Sequence, residues 1–190
     1  MDIFYIVSCW VCIAYIFLGF YVFRADRKQE LVVELGEYIG LPEHKIMDLR
    51  LLAQFHDIGK VGIPDRLLFK PGKLNEAEKT EMQRHSELGY RISKSIPELG
   101  SIAELILKHH ERWDGKGYPL GIRGLDIPME CRILAIVDAF DAMTHDRPYR
   151  TAMSVAYAME ELKSNSGTQF DARLVEEFLE LLSTIRMSID

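Results

Sequence analysis

Six side chains of the kinds that bind divalent metals stand at four separated places: His56-Asp57, His85, His109-His110 and Asp138. Between the third place and the fourth runs Gly115-Lys116-Gly117-Tyr118-Pro119. Imidazoles and carboxylates without thiolates suit iron, manganese or a similar cation rather than a thiolate zinc site. Two such ions sharing a carboxylate can activate water against a phosphodiester. The adjacent His56-Asp57 pair lets one short segment touch both ions, with Asp57 as the bridge. Lys60 follows one turn later, near enough to meet a phosphate oxygen.

The elements that carry these residues read as helices. Residues 26–38 and 43–56 form two helices separated at Gly40-Leu41-Pro42. The stretch Val61–Leu74, with Gly62, Pro64, Pro71 and Gly72, is a loop. Asn75-Glu76-Ala77-Glu78 resembles a capping box, and the helix it opens should run to about Ser95. Further helices are expected over 101–112, 129–144, 152–164 and 171–186, with an irregular Gly/Pro-rich loop from Asp114 to Pro128. The fold class is therefore all-α, with one long loop over the site.

Each chemically capable residue interrupts an apolar face. His85 shares a face with Met82, Gly89 and Ile92, and Ile102, Leu105 and Ile106 lead into His109-His110. Any one of these histidines taken alone reads better as a core side chain bonded to a backbone carbonyl. Asp138 lies within Ile133-Leu134-Ala135-Ile136-Val137-Asp138-Ala139-Phe140, where a carboxylate needs a partner to offset several kcal/mol of desolvation. A cation or a buried arginine would serve. Four helices each placing His or Asp on an apolar face favour one shared metal cluster over four separate explanations. His44 and His145 sit in polar contexts and read as surface residues.

Composition sets limits. The chain has 190 residues, 48% hydrophobic and 27% charged, with a formal net charge of −6. The acidic balance argues against a polymeric nucleic-acid partner but permits a small anionic ligand. Cys9, Cys12 and Cys131 form no disulfide or zinc pattern. Residues 3–23 carry no charge and are long enough for a membrane span, with Arg24, Arg27 and Lys28 following at once. The expectation is an apolar N-terminal helix over 1–23. It would anchor a cytoplasmic domain, residues 24–190, to the inner membrane. A buried helix and a displaced gene start are the alternatives.

His56-Asp57-Ile58-Gly59-Lys60, His110-Glu111-Arg112-Trp113-Asp114-Gly115-Lys116-Gly117-Tyr118-Pro119, Asp138-Ala139-Phe140-Asp141-Ala142-Met143-Thr144 and Asp146-Arg147-Pro148-Tyr149-Arg150 together resemble an HD-GYP domain. The resemblance covers roughly residues 24–186. It implies a helical bundle of the HD phosphohydrolase superfamily that hydrolyses the second messenger cyclic di-GMP, through the linear dinucleotide, to GMP. It implies two metals bridged by Asp57, one completed by His56 and Asp138, the other by His85, His109 and His110. Lys60 would contact the scissile phosphate. Gly117, Tyr118 and Pro119 would shape the pocket, and Arg147 and Arg150 would face the nucleotide. A diguanylate cyclase domain is an implied partner.

The resemblance also implies one more histidine, about 32 residues before the His-Asp pair, where this chain has Arg24. Arginine stays charged and cannot ligate a metal, so the first helix is incomplete as a metal shell and the first ion is expected to be weak. A cyclic di-GMP receptor or interaction module without catalysis is the alternative function.

Overall fold

The computed structural model describes residues 27–146 and 151–187, with side chains to 185. The apolar run 3–23, Arg24, Arg147 and Arg150 lie outside the described residues. Among the described residues no helix is long and apolar enough to cross a membrane.

The described residues form helices joined by loops, with no strand and a single isolated bridge between Ser166 and Phe170. Helix α1 covers 27–38. It is followed by α2 (Glu43–Phe55), a 3-10 turn (Ile58–Gly62), α3 (Asp65–Leu68), α4 (Glu76–Gln83) and α5 (His85–Lys94). A second 3-10 segment (Pro97–Ile102) leads into α6 (Ala103–Lys108), and α7 (Met129–Thr144), α8 (Val155–Ser164) and α9 (Ala172–Met187) complete the order. Pro42 opens α2 with extended backbone, as its fixed φ and missing N–H favour. Asn75 and Glu78 form the expected capping box on α4.

Helix α7 is the central element. Cys131, Ile133, Leu134, Ile136, Val137 and Phe140 are all buried, so apolar contact surrounds most of its circumference. It packs against α2, α6, α8 and α9. Helix α2 presents Ile46, Leu49, Leu52 and Ala53 on one face, the three-to-four spacing of an amphipathic helix. Leu35 of α1, Ile106 of α6, Leu162 of α8 and Phe178 of α9 close the same core. Phe140 and Phe178 meet edge to face at 5.4 Å, a favourable arrangement of ring quadrupoles.

Two expected helices are interrupted. The expected 75–95 helix is broken at Arg84 (φ −60, ψ −15), between α4 and α5. The break lies where Gly59 of the 3-10 turn packs against the backbone of α5, so tertiary fit overrides local propensity. The expected 101–112 helix stops at Lys108, which leaves His109 and His110 in the turn beyond it. Both interruptions free histidines from strict helical spacing and let them converge. Short helical pieces also occupy 58–62 and 65–68, where a plain loop is expected from sequence.

Candidate metal centre

Three helix ends and one turn meet at the centre of the molecule. His56 follows the last turn of α2, His85 begins α5, and His109 and His110 follow α6. His56 Nδ1 donates to Ala53 O (3.1 Å), His85 Nδ1 to Met82 O (2.8 Å) and His109 Nδ1 to Ile106 O (2.6 Å). A carbonyl can only accept, so these bonds fix the proton on Nδ1 and leave each Nε2 with an open lone pair. This is the orientation that metal-binding histidines show.

The lone pairs of His85 and His109 face a common point, which His110 shares. His85 Nε2 lies 3.3 Å from His109 Nε2 and 3.1 Å from His110 Nε2. Asp57 Oδ1 is 3.6 Å from His85 Nε2. One ligand atom from each of Asp57, His85, His109 and His110 falls within 4.8 Å of all the others. Two imidazole lone pairs 3.3 Å apart repel unless a proton or a cation stands between them. Burial disfavours the proton: it lowers the pKa of His85 and lowers that of His109 further, and it brings His110 down to about 3, with the neighbouring His85 adding to the effect. A divalent cation fits this donor set.

The carboxylates are held ionised. Burial opposes the charge on Asp57, but His56 and the Lys60 ammonium, 2.6 Å from Oδ2, outweigh it and keep the carboxyl far below the usual range. Burial likewise opposes the charge on Asp138, and Lys28 and His56 reverse that effect. Asp138 is half-exposed, with 37% of its side-chain surface open to a cleft. The side chain is thus partly open to the cleft, while desolvation still opposes its charge and Lys28 offsets that opposition.

All six residues singled out as metal ligands are brought together, in two groups. Asp57, His85, His109 and His110 form the compact set. His56 and Asp138 lie to one side, with His56 Nε2 3.5 Å from Asp57 Oδ2 and 3.8 Å from Asp138 Oδ1. His56, His109, His110, Glu111, Asp138 and Gln169 are among the residues lining a cavity of about 210 Å³. His44 is exposed, as expected. His145 is half-buried and bonds Asp141 at 3.0 Å, away from the cluster.

The Gly/Pro loop is pinned against the cluster. Tyr118 stacks on His110 with ring centroids 4.8 Å apart, and its amide donates to His110 O (3.3 Å). A Cβ on Gly117 would stand 2.4 Å from Arg112 N and 2.5 Å from Glu111 Cα, so only glycine permits this approach. Pro119 follows Tyr118 through a cis peptide. Two residues here carry roles that sequence reasoning missed. Buried Glu111 accepts from Leu120 N (2.7 Å) and Gly121 N (3.2 Å), which ties the loop to the turn that bears His109 and His110. Lys28 of α1 enters the site itself, donating to Asp138 Oδ1 at 2.9 Å. A glutamate inside a motif and a lysine within a charged run give no local sign of either role.

One prediction follows from the histidines. His56, His85, His109 and His110 all have folded pKa values below 6.5. Below pH 6.5 the unfolded chain binds more protons than the folded one, so stability is present above that pH and is lost as pH falls. Each such histidine contributes a slope of up to about 1.4 kcal/mol per pH unit. Urea midpoints of the chelator-stripped chain should fall between pH 6.5 and 5, before the carboxylates titrate. A flat midpoint across that window would contradict the assignment of neutral imidazoles.

The helical fold and the buried His/Asp centre define a metal-binding α-helical domain. The HD domain family model matches residues 17–174. A cyclic di-GMP phosphodiesterase of Thermotoga maritima is 42% identical over 162 residues, 83% of this chain and 44% of the relative. The response regulator RpfG of Xanthomonas campestris pv. campestris, also named a cyclic di-GMP phosphodiesterase, is 41% identical over 156 residues, 81% of this chain and 41% of the relative. The chain belongs to the HD domain family, in its HD-GYP branch. It spans less than half the length of these curated relatives. The crystal structure of a cyclic GMP-AMP specific phosphodiesterase of Vibrio cholerae superposes with a TM-score of 0.64 at 21% identity, over 86% of this chain and 44% of that one, a likeness of fold.

Proposed function

We propose that this chain is a metal-dependent phosphodiesterase domain that opens cyclic di-GMP to the linear dinucleotide and carries it on to GMP. The observation that carries this reading is the convergence of three imidazole Nε2 atoms on one ionised carboxylate beside a cleft. The names of the relatives supply the substrate class. A divalent ion held by Asp57, His85, His109 and His110, iron or manganese by its donor set, would supply an activated water and offset charge at phosphorus.

The remaining work falls to the chain's own groups. The Lys60 ammonium, 44% exposed beside Asp57, is placed to meet a non-bridging oxygen of the scissile linkage as negative charge grows there. Tyr118 and the Glu111-tied loop wall one side of the cluster and orient the phosphodiester. The cavity is smaller than the roughly 300–1,000 Å³ of most small-molecule sites. It suits one phosphodiester linkage, with the bases lying against the loop that carries Gly117 and Pro119. Arg147 and Arg150 are proposed as further contacts to the nucleotide. A diguanylate cyclase partner and attachment to the inner membrane through residues 3–23 are proposals of the same kind. They rest on the resemblance and on the apolar run.

The test is incubation of the full chain, loaded with manganese, with cyclic di-GMP and separately with cyclic GMP-AMP, and chromatography of the products. Linear dinucleotide and GMP from cyclic di-GMP are expected. Absence of turnover on both substrates at full metal content would overturn the reading. Tight binding without turnover would establish the receptor function instead, a reading that the ammonium of Lys28 inside the site favours. Within the enzyme reading, Lys60→Ala should lower kcat/KM by about 100-fold, the scale seen when one transition-state donor is removed. Metal content should stay at the wild-type level, because the four ligands remain. An unchanged kcat/KM would remove Lys60 from the mechanism.

A further inference from the structure

We infer that Lys28 is an internal cation that takes the place of one metal ion, so that the chain binds a single divalent ion per domain. The Lys28 ammonium lies 2.9 Å from Asp138 Oδ1 and 3.3 Å from His56 Nε2, and only 14% of its side-chain surface is exposed. Because His56 Nδ1 donates to Ala53 O, His56 Nε2 offers a lone pair. The ammonium therefore donates to the two atoms that a first ion would have to use. Those two atoms are 3.8 Å apart, a separation that ligands about 2.1 Å from one shared ion can span.

The ammonium supplies one positive charge where an ion would supply two, and it activates no water. It also repels a second cation, since paired ions in two-metal sites lie only about 3.5–4 Å apart. At the four-ligand set of Asp57, His85, His109 and His110 the neighbouring ammonium is Lys60, which bonds Asp57 Oδ2 at 2.6 Å and leaves Oδ1 facing His85 Nε2 at 3.6 Å. The departure read at Arg24 therefore has a described counterpart four residues later in the sequence. Whatever Arg24 does, α1 delivers a cation to the His56–Asp138 side through Lys28.

This inference rests on the reading of the four-ligand cluster as a metal site. Its test is metal stoichiometry, which does not depend on turnover. The full chain is stripped with chelator, reloaded with manganese, desalted, and its metal measured by mass spectrometry. Wild type is expected to hold about one ion per chain. Lys28→Ala, which frees His56 and Asp138, is expected to hold about two, and Lys28→Ala with Asp138→Asn to return to one. Thermal melts confirm that each variant is folded. Should Lys28→Ala fail to fold, Lys28→Met provides the same test, because it keeps the stem and removes the charge. Two ions in wild type, or one ion in a folded Lys28→Ala or Lys28→Met chain, would overturn the inference. No ion in any of them would overturn both the inference and the cluster reading beneath it. A chain that binds one ion yet hydrolyses nothing would sink the phosphodiesterase reading and leave this one standing.

Discussion

Asp57→Asn, reloaded with manganese and desalted, should retain less than about a tenth of the wild-type metal and show no measurable hydrolysis of cyclic di-GMP. Asp57 is the only carboxylate in the four-ligand set, so its neutralisation leaves three uncharged imidazoles to hold a divalent ion. Both of its oxygens are engaged, Oδ1 toward His85 at 3.6 Å and Oδ2 toward Lys60 at 2.6 Å. Changes to groups that merely support a ligand already cost ~10–100-fold in metal affinity, and loss of the anionic ligand should exceed that range. The amide also cannot hold Lys60 as strongly, so the phosphate-facing ammonium loses its anchor. The fold should survive, because Asp57 lies at the edge of the core and its backbone carbonyl still accepts from Lys60 N. A circular dichroism melt near that of the apo wild type would confirm this. Full metal retention by Asp57→Asn would show that the cluster is not the binding site.

Gly59→Ala should damage the same site through packing. A Cβ at residue 59 would stand 1.9 Å from His85 O and 2.4 Å from Gly89 N. Both are backbone atoms of α5, so no flexible side chain can move aside. Overpacking in a core costs ~1–3 kcal/mol and sometimes more, and a clash with backbone belongs at the upper end. For a domain of this size, about 3 kcal/mol corresponds to a fall of roughly 6–12 °C in Tm. The consequence extends to chemistry, because Gly59 joins the segment bearing Asp57 to the helix bearing His85. Forcing them apart should weaken metal binding even in molecules that stay folded. A Tm within 2 °C of wild type with unchanged metal content would contradict the close approach described here.

The residues of the candidate site were more legible in sequence than the geometry that unites them. His85 could be placed on an apolar helical face, yet the break at Arg84 that aims it has no Gly or Pro to announce it. On a continuous 101–112 helix the adjacent His109 and His110 would point about 100° apart. Because α6 ends at Lys108, both turn inward. Asp138 was recognised from its apolar neighbours, although its side chain is partly open to the cleft. The expected boundaries of α7 match the observed Met129–Thr144, because a nearly all-apolar helix leaves little ambiguity.

Lys28 was the hardest to see. It belongs to the run Asp26-Arg27-Lys28-Gln29-Glu30, which reads as a solvated helix face, and nothing local distinguishes it from Arg27. Its role comes from a pairing 110 residues away, with Asp138. The family resemblance implied a missing ligand at Arg24, which lies outside the described residues. The structure supplies another cationic residue, Lys28 of α1, four positions later in the sequence, that reaches His56 and Asp138. Glu111 was missed for a related reason. It lies inside a recognised motif, but its work is to hold Leu120 and Gly121, outside the motif's chemically active residues.

The most direct test of the account is stepwise loading of the chelator-stripped full chain with manganese, with bound metal and cyclic di-GMP hydrolysis measured on the same samples. The account predicts that hydrolysis rises in proportion to bound ion and levels off as the four-ligand set fills, while Asp57→Asn stays at baseline throughout. Hydrolysis that persists in the metal-free chain, or that is absent when the cluster is full, would contradict it.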